Sequence, residues 1–405
     1  LRAFPDKLIE QMTSSDTSAR SYSLPWVIFA LAIGGFCIGT TEFVAMGLIQ
    51  EIAADLKVSI PSAGHFITAY ALGVTIGAPA LAILGAKLPR KTLLLGLMVF
   101  YGLANGLTAL ADTPTSMLLS RFIAGLPHGA YFGIASLVAA DLAGQHRRAT
   151  AIAQVMMGLT IANVIGVPFA TWLGQSFGWR AGFEFSAMIA LATILAISFF
   201  VPRIDAHPTA SFRGELAGFK NINMWLTLAI GAIGFGGMFS VYSYASPILT
   251  EYTGVSIKVV PIALAVFGTG MVIGGLVAGW LADKHLNKTI VAVLVSSSIA
   301  FIIAGLSMTQ LYSAIVALFL IGFTVTGLAG VLQIRLIDVA GESQALAASL
   351  NHSAFNVANA LGAFLGGFVI SQQMGWVAPV WVGLFLSLSG LAVFKLALHV
   401  ETRTN

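Results

Sequence analysis

The sequence predicts an all-α membrane protein with twelve transmembrane helices arranged as two parallel six-helix repeats. Three observations predict it. Of the 405 residues, 58% are hydrophobic and only 9% charged, where an ordinary soluble domain carries about 25% charged residues. Apolar runs close to the length of one membrane helix, about 20 residues, recur along the whole chain. The chain also aligns with itself, without a gap, over a long stretch of each half.

The apolar runs lie near 26–47, 63–85, 92–111, 116–139, 149–173, 179–201, 225–248, 259–281, 289–307, 311–335, 345–371 and 376–398. They are continuous, which excludes a β-barrel, whose strands alternate over about ten residues. The first run is too long for a cleaved signal peptide, and eleven more follow it. Lys and Arg fall mostly on one set of loops, from Lys87, Arg90 and Lys91 to Lys288 and Arg335, while the other side keeps Lys57, Arg180 and Lys258. The positive-inside rule then puts both termini in the cytoplasm. That bias accounts for the pI near 9.2 without nucleic acid, for which no exposed aromatic platform or basic patch is present. The single Cys37 excludes a disulfide framework and a Cys-based metal site, and no cofactor motif is evident. Residues 1–24 read as a cytoplasmic leader, Ser/Thr-rich from Met12 ("MTSSDTSARS"), with a first stretch, 1–11, that lacks an initiator. The expected units after it are a helical bundle over 25–201, a cytoplasmic linker over 202–223, a second bundle over 224–399 and a tail over 400–405.

The second observation within the repeat is its register. "VSIPSAGHFITAYALGVTIGAPALAILGAKLPRK" (58–91) aligns to "VSIKVVPIALAVFGTGMVIGGLVAGWLADKHLNK" (255–288) at a shift of 197, and at that shift "DLAG" (141–144) meets "DVAG" (338–341). One residue off, "IANVIG" (161–166) meets "VANALG" (357–362), and "GW" follows each copy. Parallel six-helix repeats are the halves of one type of secondary transporter, with substrate bound near the midplane between them.

Several stretches carry a resemblance. "GWLADKHLNK" (279–288) resembles the loop motif between the second and third helices of each half in the major facilitator superfamily; the first copy, "GAKLPRK", has Ala86 where the second has Asp283. "SRFIAGLPHGAYFG" (120–133) is similar to that superfamily's fourth-helix motif, with Arg121 as its arginine, and "GLTIANVIGVPFATWLG" (158–174) to a loose form of its fifth-helix antiporter motif. "GTTEFVAMGLIQEIAADL", "SIPSAGHFITAYALGVTIGAP" and "LNHSAFNVANALGAFLGG" resemble the arabinose-efflux-permease-like branch of twelve-helix drug/proton antiporters, over nearly the whole chain from Trp26. The resemblance implies alternating access, a cavity lined by the first and fourth helices, and a conformational loop role for Asp283, Lys284, Lys87 and Arg90.

The residue that most needs an explanation is Glu42, in the apolar "GTTEFVAMG". A carboxylate there costs roughly 2.5 to 3.5 kcal/mol on insertion scales. Glu42 and Arg121 both fall about five residues from the outer ends of their helices, roughly 7 Å deep at 1.5 Å per residue, so an ion pair between them is expected. Burial and a neighbouring guanidinium act on a carboxyl proton in opposite senses, which suits a group that takes up and releases protons as its surroundings change. A static pair that fixes packing is the competing reading. Glu184 and Arg180 are expected to pair locally. His128 shares a face with Arg121 and suits proton relay or substrate bonding, or a neutral buried role. Asn163 and Asn359 are repeat partners. Asn356 and His352 extend the second of them along one face, toward a substrate or as interhelical glue. Tyr242 and Tyr244, with Ser240, either meet the substrate or belong to an interfacial belt. The Gly73/Gly77, Gly270/Gly274 and Gly362/Gly366 spacings read as close helix contacts.

"GFGGMF" (234–239) and "GTGMVIG" (268–274) echo dinucleotide fingerprints but lie inside apolar helices with no preceding strand. The glycosylation-like "NKT" and "NHS" match only formally. No Walker loop, catalytic set or metal cluster occurs at workable spacing, so an enzyme is not expected. The expected protein is a proton-coupled exporter of a small organic molecule such as a sugar, nucleoside or antibiotic, acting as a monomer in the lipid bilayer of a bacterial cytoplasmic membrane. A proton symporter has the same parts, and a receptor or scaffold would be expected to carry a sizeable soluble domain.

Overall fold

The computed structural model describes residues 22–85, 87–204, 221–340 and 344–404. The expected leader up to residue 21, Ala86 and most of the expected linker lie outside them. The described chain is helical in fourteen principal pieces. They are α1 (Leu24–Gly47), α2 (Ile49–Asp55), α3 (Ile60–Gly85), α4 (Arg90–Ala109), α5 (Pro114–Ala143), α6 (Arg148–Ile161), α7 (Val167–Phe177) and α8 (Arg180–Phe200) in the first half. The second half holds α9 (Ile222–Gly234), α10 (Gly236–Tyr242), α11 (Val260–Ser307), α12 (Leu311–Val339), α13 (Gln344–Ser371) and α14 (Ala378–Thr404).

Eleven helical stretches among the described residues are long and apolar enough to cross a membrane. The longest contains α11, 48 residues with His285 at φ −150°, ψ 78°. At 1.5 Å per residue it is far longer than one bilayer crossing, and the break at His285 divides it into two spans, which makes twelve. Large apolar side chains such as Leu103, Phe199, Leu276 and Phe385 stand exposed around the bundle. In water this would be a liability; against lipid it is the expected outer surface.

The repeat holds at the level of contacts. Gly73 and Gly77 of α3 sit so close to the carbonyls of Phe122 and Leu126 in α5 that a methyl would overlap them. Gly270 and Gly274 of α11 do the same to Phe319 and Phe323 of α12, each residue 197 positions on. The expected small-residue contacts are therefore real, and they pair the same two helices in each half. Turns repeat too. Lys57 and Gly254 both have positive φ, 54° and 75°, as do Gly178 and Gly375 of the two "GW" turns, 97° and 91°.

The face of the bundle carrying Lys87, Arg90, Arg147, Lys284, Lys288 and Arg335 is here termed the basic face. On it, Arg90 pairs with Asp141, and Arg335 donates to the Glu401 carboxylate and to the Asn287 side-chain oxygen, both at 2.9 Å. Toward the opposite face the halves seal against each other. Every residue from Cys37 to Ile49 is buried, and so is every one from Gly234 to Leu249, the repeat-related stretch. Gln50 bonds Ser246 and Thr250 across the seam at 2.7 and 2.8 Å, and the Gln175 amide donates to the Ile257 carbonyl at 3.2 Å. Near the basic face the first helix of each half alternates, with Ala32, Ile33 and Phe36 half-buried on one and Ala229, Ala232 and Ile233 on the other.

Arg180 does not pair with Glu184. Its Nη1 bonds Asp55 at 2.6 Å and its Nη2 the Ala111 carbonyl at 2.8 Å, because α2 folds back beside the start of α8. Asp55 also accepts from the Trp179 indole at 3.0 Å. The indole and then the guanidinium hold its carboxyl below the ordinary aspartate range. A depressed folded-state pKa stabilises above the unfolded value near 3.9 and is lost as pH falls through the folded one. Wild type should thus lose its thermal advantage over Asp55→Asn in acid and keep it at neutral pH. For so exposed a pair, the advantage should be about 0.2–1 kcal/mol. Melting curves of the two proteins in detergent, taken from pH 7 downward, check this.

Candidate functional site at the interface of the halves

Glu42 is buried, 6% exposed, on α1. Its Oε1 accepts a hydrogen bond from the Asn359 side-chain amide of α13 at 3.2 Å. This bond joins the first half of the chain to the second. The expected ion pair with Arg121 is not formed. Arg121 is fully buried, and its three guanidinium nitrogens have no hydrogen-bond partner among the described residues. Its guanidinium carbon lies over the Tyr70 ring, 4.2 Å from the centre, and over the Phe183 ring, 5.4 Å from the centre. A guanidinium is weakly hydrated and stacks on aromatic faces, so the rings take the cation while the amide takes the carboxyl. Similar depth along two helices does not put two side chains at one azimuth.

Tyr70 joins these groups to His128. Its hydroxyl lies 3.1 Å from the Tyr101 hydroxyl and 3.1 Å from His128 Nδ1, and Tyr101 reaches the Ile38 carbonyl at 3.3 Å. Each phenol has one hydrogen, so all three bonds form together in only one way. Tyr101 donates to Ile38, Tyr70 donates to Tyr101, and His128 donates from Nδ1 to Tyr70, which leaves Nε2 as an acceptor. Beyond His128, Phe132 lies parallel to the ring of His352 on α13, centres 6.1 Å apart. His128 and His352 are therefore brought toward one another from opposite halves.

The asparagines divide by environment. Asn163 lies in a π-helical turn, Ala162–Gly166, between α6 and α7. Pro168, lacking an N–H, relieves the ladder at this point. The Asn163 amide donates to Leu159 O at 3.0 Å, and Asn356 does the same to His352 O at 3.0 Å. In Asn163, Asn356 and Asn359 the side-chain oxygen is buried without a partner among the described residues. Thus Asn359 crosses the interface while its repeat partner Asn163 bonds its own helix.

Tyr242 and Tyr244 are buried, so neither is part of an interfacial belt. Tyr242 packs its ring against Phe43 and Phe267, centres 5.4 and 4.5 Å away, and its hydroxyl has no partner among the described residues. Tyr244 donates to the Ala363 carbonyl at 2.8 Å and fills the space beside Gly64 and Gly367. It packs within the seam in this conformation. Ser240 bonds the Gly237 and Pro379 carbonyls, both at 2.8 Å.

The family model for the Major Facilitator Superfamily matches residues 31–250 and 227–405. The chain belongs to the Major Facilitator Superfamily. This major facilitator is 38% identical over 371 residues to the inner membrane transport protein YdhP of Escherichia coli K12, covering 91% of this chain and 95% of that protein. It is 30% identical to the putative transporter AraJ of the same organism, covering 91% and 94%. It is 28% identical to the chloramphenicol resistance protein of Streptomyces lividans, covering 94% and 98%. The superfamily and the AraJ-like resemblance are thereby established, and with them a multi-pass membrane transporter rather than an enzyme.

Of the major facilitator loop residues, Asp283 and Lys284 are exposed, with the Lys284 ammonium 3.6 Å from the Trp280 ring centre. Lys87 is exposed, and Arg90 is engaged with Asp141 of its own half. Tyr70 and Tyr101 were the residues that reading the sequence missed. A signal existed: the repeat partner of Tyr70 is Phe267, so one copy alone carries a hydroxyl at that buried position.

Proposed function

We propose that this major facilitator is a proton-coupled exporter of a small neutral organic molecule, set in a bacterial inner membrane with its basic face and both termini toward the cytoplasm. The observation that carries the reading is the Glu42–Asn359 bond across the interface. Glu42 is the buried acid of the first helix, and its partner belongs to the half that must move away when the opposite face opens. In the sealed arrangement Glu42 is shut off from that face by the buried stretch 37–49. Parting the halves breaks its bond and exposes it, so that protonation follows the conformation. Arg121, buried without a hydrogen-bond partner among the described residues, supplies a fixed positive charge whose counter-ion is the ionised Glu42. His128, ordered by Tyr70, is the next group toward the cytoplasm on the proton's way out. His352, Asn356 and Asn163 are assigned to the substrate. Tyr242 is assigned with them at the far end of the site. Lys87, Arg90, Asp283 and Lys284 are assigned to the cytoplasmic loops that respond when the halves rock. The name of the chloramphenicol resistance protein supports export of antibiotics as the direction and class to test first.

The experiment uses inside-out vesicles with an imposed, acid-inside pH gradient, a pH-quenched dye and a panel of chloramphenicol, sugars and nucleosides. Collapse of the gradient on adding one class supports antiport and names the class. Uptake of a substrate by right-side-out cells down an inward proton gradient, with no response in inverted vesicles, would replace export by symport.

A further inference from the structure

Asn359 differs from its neighbours in one chemical respect. The Asn356 amide donates to a backbone carbonyl, which can only accept, so the Asn356 oxygen is held pointing away from it. The Asn359 amide donates to a carboxyl, whose hydrogen-bonding character changes with its protonation. An ionised Glu42 accepts only. A protonated Glu42 carries an O–H that, in a site 6% exposed, needs an acceptor of its own. The Asn359 oxygen is buried, has no partner among the described residues, and belongs to the group already in contact. Turning the amide over satisfies the acid.

We infer that Asn359 reads the protonation of Glu42 by turning its side-chain amide over, and thereby converts the substrate site from hydrogen-bond acceptor to donor. The inference rests on Glu42 as the proton carrier. With Glu42 ionised, the oxygens of Asn359 and of Asn356, one helical turn apart on one face, both present acceptors. They suit a neutral ligand with O–H or N–H groups, such as a polyol or a secondary amide. With Glu42 protonated, Asn359 presents N–H instead, opposes the ligand's donor and weakens its hold. Proton in and substrate out are then linked through one side chain. The other charged and titratable groups facing the pair are Arg121 of α5, Tyr70 of α3 and Tyr242 of α10. His352 lies on α13 and His128 on α5, toward the basic face. Arg121 has no acceptor atom to offer the acid. Tyr242 has one, and it is the alternative destination for the proton's hydrogen bond.

The test is an infrared difference spectrum, acid minus neutral, of wild-type protein in lipid with asparagine labelled at the side-chain carbonyl carbon. The expected result is a carboxylic-acid band that disappears in Glu42→Gln, accompanied at the same midpoint by a labelled amide band that disappears in Asn359→Leu. Chloramphenicol, neutral and bearing hydroxyl and amide N–H donors, is the binding probe. Its affinity should fall about tenfold across that midpoint in wild type, the order of one mismatched hydrogen bond, and stay flat within twofold in Asn359→Leu. A Glu42 acid band without any asparagine change overturns the inference and leaves Glu42 as carrier. A missing Glu42 band overturns the carrier reading itself. The infrared measurement on wild type stands even where Asn359→Leu fails to fold.

Discussion

Glu42→Gln is expected to reduce proton-driven transport to background while leaving the protein folded and able to exchange substrate for substrate. Glutamine is close in shape to the protonated acid, and either its carbonyl accepts from the Asn359 amide or its amide donates to the Asn359 oxygen, so a bond to Asn359 is kept in both orientations. The inter-half bond therefore survives. What is lost is the ability to change charge, and with it any link between the pH gradient and the direction of rocking. Stability should rise rather than fall. A buried carboxylate costs roughly 2.5 to 3.5 kcal/mol on insertion scales and an amide costs less, although Arg121 loses its nearby opposite charge and offsets part of the gain. Three measurements check this: gradient collapse by chloramphenicol in inverted vesicles, exchange of labelled for unlabelled chloramphenicol at equal pH, and melting temperature in detergent. Unchanged gradient-driven transport in Glu42→Gln would make Glu42 a packing residue and move attention to His128.

The architecture was legible because lipid imposes it. A helix must satisfy its own backbone in the bilayer, so apolar runs of sufficient length identify spans almost without context. The repeat supplied the arrangement, down to Gly73 and Gly270 as equivalent close contacts. The site was legible only in part. Glu42 and Asn359 stand out as polar groups where polar groups are costly, yet their bond joins residues 317 positions apart, and nothing local signals it. Depth along a helix can be counted from its end, which placed Glu42 and Arg121 at one level. Azimuth depends on how the helices pack, and packing turned Arg121 onto Tyr70. The belt reading of Tyr244 fails for a related reason. Its position near a helix end is shared by belt and seam residues, and what decides between them is the glycine opposite it, Gly64, on a helix from the other half.

That glycine carries the second large effect. Gly64→Ala is expected to shift the protein toward the state open at the face away from the basic loops. Its methyl would overlap the Tyr244 hydroxyl and stand 3.1 Å from the ring carbon that bears it. Tyr244 has little room to yield, since its hydroxyl is bonded to the Ala363 carbonyl at 2.8 Å and Gly367 closes the other side. Overpacking of this kind costs about 1–3 kcal/mol. The strain exists only while the halves are closed there, so the cost falls on one conformation and moves the closed-to-open equilibrium by about 5- to 150-fold. Ser246 is fully buried in that seam. In a Cys37→Ala background, Ser246→Cys should label with a hydrophilic maleimide faster, by a factor in that range, when Gly64→Ala is present. Tyr244→Phe removes the atom that collides, so adding it to Gly64→Ala should slow labelling again, toward the rate of Tyr244→Phe alone. Two independent perturbations of a seam would add; two halves of one collision must cancel. Equal labelling with and without Gly64→Ala, or additive effects of the two substitutions, would mean that the seam is held elsewhere, with the Gln50 bonds to Ser246 and Thr250 and the Gln175 bond to the Ile257 carbonyl the next contacts to test.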